Sequence, residues 1–111
     1  MIKNEKLVRD AMQIIWNECN LSRVGDFYSK DFVADYPHTD WGTGLEGIRT
    51  LATQVHNDLP GYTEHIEELI VAGDKVIVIL SISGSHPQSG EKISFRDVTV
   101  LTVKDDKIIS Q

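Results

Sequence analysis

Two polar side chains that could take part in chemistry share one face of a predicted strand. Side chains alternate along residues 93–103, so Asp97 and Thr99 point the same way as Phe95 and Leu101. A carboxyl group among apolar neighbours needs a partner or a proton, and burial suits it to acid/base work beside a carbonyl. If this face is the inner one, Asp97 is a candidate catalytic group and Thr99 is a candidate ligand contact. The alternative for Asp97 is a structural ion pair or an exposed charge.

A second polar cluster lies in a short predicted strand over residues 32–38, which follows a predicted turn at residues 29–31 and which Pro37 restricts to the edge of a sheet. Asp35 falls on one face of this strand, whereas Tyr36 and His38 fall on the other, so a regular strand cannot present all three inward. Trp41 adds an aromatic surface on which a planar ligand could rest. We predict ligand contacts for Tyr36, His38 and Trp41, with ordinary core or rim packing as the alternative.

The sequence lacks the patterns that are typical of a metal site or of a dinucleotide-binding site. No metal site is expected, because close ligand spacing does not occur among the four histidines, His38, His56, His65 and His86. The glycines of Gly42-x-Gly44-x-x-Gly47 would need a βαβ unit to bind a dinucleotide, and we assign them to turn and cap geometry. We therefore expect no cofactor, and we expect His56 and His65 to lie at the surface.

The elements that must position these residues follow an α+β order. Helical spacing predicts a first helix over residues 4–19 and a shorter helical segment from Val24 to Tyr28. A third helix starts at a capping box, Thr43 to Glu46, carries an apolar stripe, and ends before Pro60-Gly61. Alternating and β-branched runs then predict strands over residues 63–71, 76–86 and 93–103, and a last short one at 108–109. Helices followed by antiparallel strands indicate three helices on one face of a curved, mainly antiparallel sheet.

Composition excludes several classes of partner. The 111 residues, 41% hydrophobic and 25% charged, fit a single domain over residues 1–111. The formal net charge of −6, with scattered basic residues, argues against nucleic-acid binding. No stretch approaches the roughly 18 apolar residues of a membrane span. The single Cys19 has no partner for an internal disulfide, so we expect a cytoplasmic protein.

Several short motifs together resemble a known family. They are, in chain order, Trp16-Asn17, Gly44-Leu45-Glu46-Gly47-Ile48, Leu59-Pro60-Gly61-Tyr62, Ala72-Gly73-Asp74-Lys75-Val76, Gly84-Ser85-His86 and Asp106-Lys107-Ile108. In this set and order the sequence resembles the SnoaL-like polyketide cyclases of the nuclear transport factor 2-like superfamily. The resemblance implies a cone-shaped fold in which the sheet bends around three helices to form a pocket for a small hydrophobic molecule.

The resemblance also implies site residues, and some of them are replaced. The cyclases carry a catalytic aspartate a few residues beyond the position of Lys107-Ile108, where this sequence stops at Gln111. Their catalytic histidine aligns with Thr99, and a hydroxyl does not carry protons near neutral pH as an imidazole does. The protein could continue past Gln111, use other residues, or lack chemistry.

Three further candidates follow from the same resemblance. Steroid isomerases, which share the cone, place their carboxylate base at the position of Asp35, so Asp35 is a candidate catalytic base, with a solvent-facing aspartate beside a turn as the alternative. His86 matches a family histidine near the mouth of the cone and is a catalytic candidate, with a solvated loop residue as the alternative. Trp16, in the first motif, is a candidate ligand contact.

We therefore predict a cofactor-independent enzyme, cyclase-like or isomerase-like, that acts on a small hydrophobic carbonyl compound. The alternative is a non-catalytic ligand-binding or dimerisation domain with the same fold. A homodimer is also expected, because strand residues are apolar on both faces. The predicted contact contains Val98 and Val100, either with Ile77 and Ile79 or with Val76 and Val78.

Overall fold

The computed structural model describes residues 2–34 and 44–111, and the chain begins with a helix that changes its winding. Helix α1 spans Ile2–Ala11 and continues as a π-helical turn over Met12–Asn17. The wider winding shows in the bond from the Glu18 N–H to the Gln13 carbonyl oxygen, at 2.9 Å. The predicted α-helix to Cys19 is therefore wrong in its last part, because the backbone widens there and Cys19 itself adopts a φ of +54°.

The other helices are short except for α3. A 3-10 turn covers Leu21–Arg23, α2 covers Val24–Phe27, and α3 covers Gly44–Asp58. Pro60 and Gly61 follow the end of α3, as the sequence predicted. Among the described residues, no helix is both long and apolar enough to cross a membrane.

Helix α3 starts against the first strand. Gly44 has a φ of +67°, and a β-carbon placed on it would lie 2.7 Å from the Lys30 carbonyl oxygen. This close approach explains a glycine at the start of the helix. The Thr43 half of the predicted capping box lies outside the described residues, and the Glu46 carboxylate forms an ion pair with Arg49 one turn along the helix.

Within the described ranges, five strands form one sheet in the order β1-β5-β4-β3-β2. The sheet is antiparallel except for the β1/β5 pair, which is parallel. This arrangement confirms the predicted α+β class. Strand bounds are Tyr28–Val33 for β1, Thr63–Ala72 for β2, Lys75–Ser85 for β3, Lys92–Lys104 for β4 and Lys107–Ser110 for β5.

The first strand differs from its prediction. We expected a turn at residues 29–31 and a strand from Phe32, but the strand already begins at Tyr28. Pairing of Tyr28 with Ile108 of β5 holds this polar stretch in an extended conformation. Its position at the edge of the sheet agrees with the prediction.

The two faces of the sheet have different environments. The inner face, which packs on the helices, carries buried residues of the central strands, among them Val76, Val78, Leu80, Ile82, Leu101 and Val103. On the outer face, Val98 is 60% exposed and Val100 is 50% exposed. The strand register pairs Val98 with Ile79 and Val100 with Ile77. Of the two alternatives left by the sequence, the outer apolar row therefore contains Ile77 and Ile79.

Candidate functional site

A cavity of about 230 Å³ lies between the helices and the inner face of the sheet. Its walls are mostly apolar and come from the π-helical turn, α3 and three strands. The apolar lining residues are Trp16, Leu51, Val55, Leu59, Leu80, Ile82 and Phe95. The polar lining residues among those described are Tyr62, Glu64, Asp97, Thr99 and Gln111. The cavity is thus an apolar chamber with a few polar groups, the usual composition of a small-molecule site.

The main chain at Glu64 is fixed by a side chain from the helical layer. The Glu64 N–H donates to Asn17 Oδ1 at 2.6 Å, and Asn17 Nδ2 donates to the Glu64 carbonyl oxygen at 2.9 Å. The Asn17 amide therefore serves both backbone groups of Glu64 on the edge strand β2, as a neighbouring strand would. Because Asn17 ends the π-helical turn, that turn determines where Glu64 enters the cavity wall.

The Glu64 carboxyl group has one hydrogen-bonded and one unpartnered oxygen. The Tyr62 hydroxyl donates to Glu64 Oε1 at 2.6 Å. Glu64 Oε2 is shielded from water and has no hydrogen-bond partner among the described residues. Burial raises the pKa of Glu64 to about 7; the Tyr62 hydrogen bond opposes this rise and the negative charge of Asp97 adds to it. Glu64 can therefore hold or release a proton near neutral pH.

Three of the residues singled out in the sequence line this cavity. Trp16 is buried, and its Nε1–H donates to the Tyr28 hydroxyl at 2.7 Å. Thr99 is buried, and Asp97 lies on the same face of β4, as the alternation predicted. The expected apolar burial of Asp97 is wrong, because Asp97 is exposed to solvent. Phe95 and Asp97 both lie toward the exposed part of β4, so water reaches this carboxylate at the cavity wall.

The remaining candidates do not lie in the described cavity wall. His86 is exposed at the end of β3, where its Nδ1 accepts the backbone N–H groups of Gln88 at 3.1 Å and Ser89 at 3.3 Å. Its position corresponds to the loop-residue alternative. The other four candidates lie outside the described residues: Asp35, Tyr36, His38 and Trp41.

The prediction that His56 lies at the surface needs correction, whereas His65 is exposed as predicted. His56 is half-buried on α3, and its Nε2–H donates to the Trp16 carbonyl oxygen at 2.6 Å. Its ring also packs against Tyr62, with the ring centroids 5.2 Å apart. His56 therefore joins α3, the π-helical turn and the segment before β2 at the back of the cavity.

Sequence reasoning missed Glu64, Tyr62 and Gln111 as cavity residues. A signal for the first two was present, because Tyr62, Glu64 and Ile66 alternate and so share one strand face with an apolar residue. The surrounding run of glutamates made this stretch resemble a solvent-facing strand. Gln111 lines the cavity, and its buried Oε1 has no hydrogen-bond partner among the described residues.

Two carboxyl groups line one cavity in the part of the chain that the structure describes. There, no three histidine, cysteine or carboxylate side chains lie close enough together to hold a metal ion. Glu64 and Asp97 instead bring two carboxyl groups to one apolar cavity, one buried and one hydrated. In such a pair, one carboxyl group can hold a proton while the other carries a negative charge.

In the described part of the chain, three α-helices on a five-stranded sheet enclose this cavity, an arrangement that belongs to the nuclear transport factor 2-like class of folds. Within that class, the sequence matches the model of the SnoaL-like polyketide cyclases over residues 6–111. The chain belongs to the SnoaL-like polyketide cyclase family. The resemblance seen in the sequence motifs is thereby confirmed.

Solved structures of bacterial proteins share the fold. A candidate polyketide cyclase from Acidithiobacillus ferrooxidans has a TM-score of 0.87 at 15% identity, covering 97% of this chain and 84% of that one. A second candidate polyketide cyclase, from Bacillus cereus, has a TM-score of 0.77 at 29% identity, and the match covers 86% of this chain and 63% of that one. A protein with a ketosteroid isomerase-like fold from Catenulispora acidiphila, in complex with trimethylamine, has a TM-score of 0.80 at 19% identity, covering 94% and 80%. No curated protein matches the sequence significantly.

Proposed function

We propose that this protein binds a small, largely apolar carbonyl compound in the cavity and moves a proton on it by carboxyl acid/base chemistry. The reaction would be a cyclisation or an isomerisation. The observation that carries this proposal is the apolar cavity into whose wall Glu64 and Asp97 bring two carboxyl groups. An apolar surrounding strengthens a carboxylate as a base, because water no longer stabilises its charge.

The size of the cavity limits the ligand. Its volume of about 230 Å³ lies below the roughly 300–1,000 Å³ of pockets that hold drug-sized molecules. Trp16 and Phe95 supply flat surfaces to this cavity, against which a planar ring can pack. A compact, planar, mostly hydrocarbon ketone fits both features.

The proposed chemistry requires only proton transfers. A carboxylate removes a proton from the carbon beside a carbonyl, and the electron pair moves to the carbonyl oxygen. The enolate then takes a proton at another carbon, or its carbon attacks a second carbonyl of the same molecule. Neither route changes the oxidation state of the ligand as a whole, so neither requires a redox cofactor. Family membership supports this reading, because the similar proteins from Acidithiobacillus ferrooxidans and Bacillus cereus are also named as candidate polyketide cyclases.

Binding can be tested with α-tetralone, a planar bicyclic ketone, and the fluorescence of Trp16. The chain has two tryptophans, so a Trp41→Phe background leaves Trp16 as the only one. We expect α-tetralone to quench Trp16, and Val55→Phe to abolish the quenching by filling the cavity. Thr53→Phe is the matched control, since Thr53 is exposed on the same helix. Equal quenching in both variants would contradict binding in this cavity.

A non-catalytic ligand-binding domain is the second candidate, and Thr99 favours it. This residue lines the cavity where the resemblance to the cyclases implies a histidine. Proton NMR of α-tetralone in D₂O separates the two functions. Accelerated exchange of the hydrogens beside its carbonyl supports the enzyme, whereas binding without exchange supports the binding domain.

We also propose that two copies pair through the outer face of the sheet. Val98 and Val100 form the centre of an exposed apolar row that continues into Ile77, Ile79 and Ile70 of the neighbouring strands. Polar contacts border the row on two sides, the Arg96–Glu67 ion pair at 3.1 Å and the Lys75–Thr102 hydrogen bond at 2.6 Å. An apolar centre with a hydrated polar margin suits an isologous contact between two identical copies.

A further inference from the structure

We propose that Glu64 is the proton-transfer residue of this cavity, taking a proton from the carbon beside the ligand carbonyl as a base and returning it as an acid. This inference rests on the function proposed above and assigns the role to a residue on β2. Neither Asp97 nor His86, the described catalytic candidates of the sequence, has this position. Asp97 is hydrated at the cavity wall, and His86 lies in the loop after β3.

The main chain of Glu64 is held more firmly than a surface strand requires. Both of its backbone polar groups pair with the Asn17 amide, at 2.6 and 2.9 Å, on an edge strand that could have left them to water. The carboxyl group therefore extends from a fixed point in the cavity wall. A fixed origin is what a proton-transfer group needs, because its distance to the substrate carbon must be reproducible.

The two carboxyl oxygens of Glu64 differ in their contacts. Tyr62 holds Oε1 at 2.6 Å, whereas Oε2 has no partner in the described part of the chain. A carboxyl group placed there only for structure would be expected to have both oxygens satisfied. Oε2 is covered by its neighbours, so contact with a ligand requires rotation about the last side-chain torsion. That torsion is soft in glutamate.

The surroundings of Glu64 favour its neutral form without excluding the charged one. Near it, the described titratable and charged groups are Asp97 on β4, Tyr62 in the segment before β2, His56 of α3 against the Tyr62 ring, and Arg9 and His65 beside the Glu64 main chain. Arg9 forms an ion pair with Glu5, in which Nε of Arg9 lies 3.0 Å from Oε2 of Glu5. Burial keeps the pKa of Glu64 at about 7, so both protonation states are populated under neutral conditions.

The step balances without a further reactant. The carbon–hydrogen bond of the ligand breaks, an oxygen–hydrogen bond forms on Glu64, and the electron pair forms the enolate. In an isomerisation, Glu64 returns the same proton to a different carbon. In a cyclisation, the enolate carbon bonds to a second carbonyl carbon and Glu64 protonates the resulting alkoxide oxygen.

The base can be tested with nitrobenzisoxazole, a small planar compound that opens to a coloured cyanophenolate when a base removes its ring proton. The electron pair forms the nitrile as the nitrogen–oxygen bond breaks, so no other reactant is needed. We expect the protein to accelerate this opening, with a rate that rises through pH ~7 as Glu64 ionises. Glu64→Gln should lower the rate by about 10²–10⁴-fold, the usual contribution of a positioned base.

Two variants control this experiment. Glu68→Gln changes an exposed glutamate that pairs with Ile79 on the outer face, and it should leave the rate unchanged. Asp97→Asn removes the negative charge that helps to raise the pKa of Glu64, so it should move the midpoint of the rate profile to lower pH whatever its effect on the maximal rate. That shift tests the assignment even if Glu64→Gln does not fold.

The outcomes separate this inference from the function on which it rests. If nitrobenzisoxazole quenches Trp16 in the Trp41→Phe background but Glu64→Gln retains the rate, the assignment of Glu64 is wrong and the binding site stands. Quenching without acceleration by the native protein also contradicts the assignment. If neither nitrobenzisoxazole nor α-tetralone quenches Trp16, the proposed function fails, and the inference fails with it.

Discussion

Glu64 combines a fixed main chain with a poorly hydrated side chain, and this combination links stability to pH. Its pKa is about 7 in the folded protein against 4.5 in a hydrated glutamate, so the native state binds more protons between these values. Stability from the neutral carboxyl is fully present below the unfolded pKa and is lost as the pH rises through the folded one.

We therefore expect Glu64→Gln to gain stability relative to the native protein as the pH rises from about 4 to about 8. The expected change in the difference between their unfolding free energies is about 3 kcal/mol, since one pKa unit corresponds to roughly 1.4 kcal/mol. Urea denaturation across this range measures it. Glu68→Gln, on the exposed outer face, should stay parallel to the native protein. A constant difference for Glu64→Gln would show that its carboxyl is not buried in solution.

At the residue scale, the sequence predicts the cavity only in part. Alternation along β4 put Asp97 and Thr99 on the same face, because strand periodicity is a local property, and the structure shows that this face lines the cavity. The same rule did not reveal that the Glu64 carboxyl is shielded from water, because the cavity that it lines also takes its walls from distant segments, which contribute Trp16 and Leu51. The hydration of Asp97 was missed for a related reason. Alternation fixes the face of a residue and does not fix how far the covering helices extend over it.

At the scale of elements, the π-helical turn determines where the helical layer meets β2. We expect Asn17→Ala to lower the unfolding free energy by about 1–3 kcal/mol, because it leaves the N–H and carbonyl of Glu64 without their partner. Gln13→Ala is the control, since Gln13 contacts Asn17 from the exposed side, and it should change stability by less than about 0.5 kcal/mol. Chemical denaturation measures the unfolding free energy of both variants. Equal losses in Asn17→Ala and Gln13→Ala would show that water readily replaces the Asn17 amide.

The start of α3 depends on the absence of a side chain. Gly44→Ala would place a β-carbon 2.7 Å from the Lys30 carbonyl oxygen and would also strain a φ of +67°. We expect a loss of about 2–4 kcal/mol, which combines backbone strain with displacement of β1. Gly73→Ala has a similar φ of +63° with nothing within 4 Å, so it isolates the conformational part at about 1–2 kcal/mol. Equal denaturation midpoints for Gly44→Ala and Gly73→Ala would contradict the close contact between residue 44 and the Lys30 carbonyl oxygen.

Elements with strong local patterns were predicted well. The apolar stripe of α3 and the turn between β2 and β3 lie where the sequence placed them, because their determinants are neighbours in the chain. The start of β1 and the π-helical turn were missed. The polar residues at positions 29–31 become a strand only by pairing with β5, and the widened turn has no propensity pattern that distinguishes it from an α-helix.

At the scale of the whole molecule, the outer apolar row predicts an assembly. We expect the native protein to sediment as a dimer at micromolar concentration, and Val100→Lys to sediment as a monomer, because a buried charge would replace an apolar contact. Thr53→Lys adds the same charge on the exposed face of α3, away from the row, and should leave the dimer intact. A native protein that sediments as a monomer would contradict the proposed contact.

The parallel pairing of β1 with β5 has a consequence for synthesis on the ribosome. Tyr28 in the first strand finds its partner Ile108 only after nearly all of the described chain has been made. Until then, the β2/β3 hairpin can form from neighbouring segments, whereas β1 has no strand beside it. Contacts between residues so far apart in the chain carry a large loop-closure cost and slow folding. The nascent chain should therefore complete its cone only after β5 has left the ribosome, and its first strand stays exposed to chaperones until that moment.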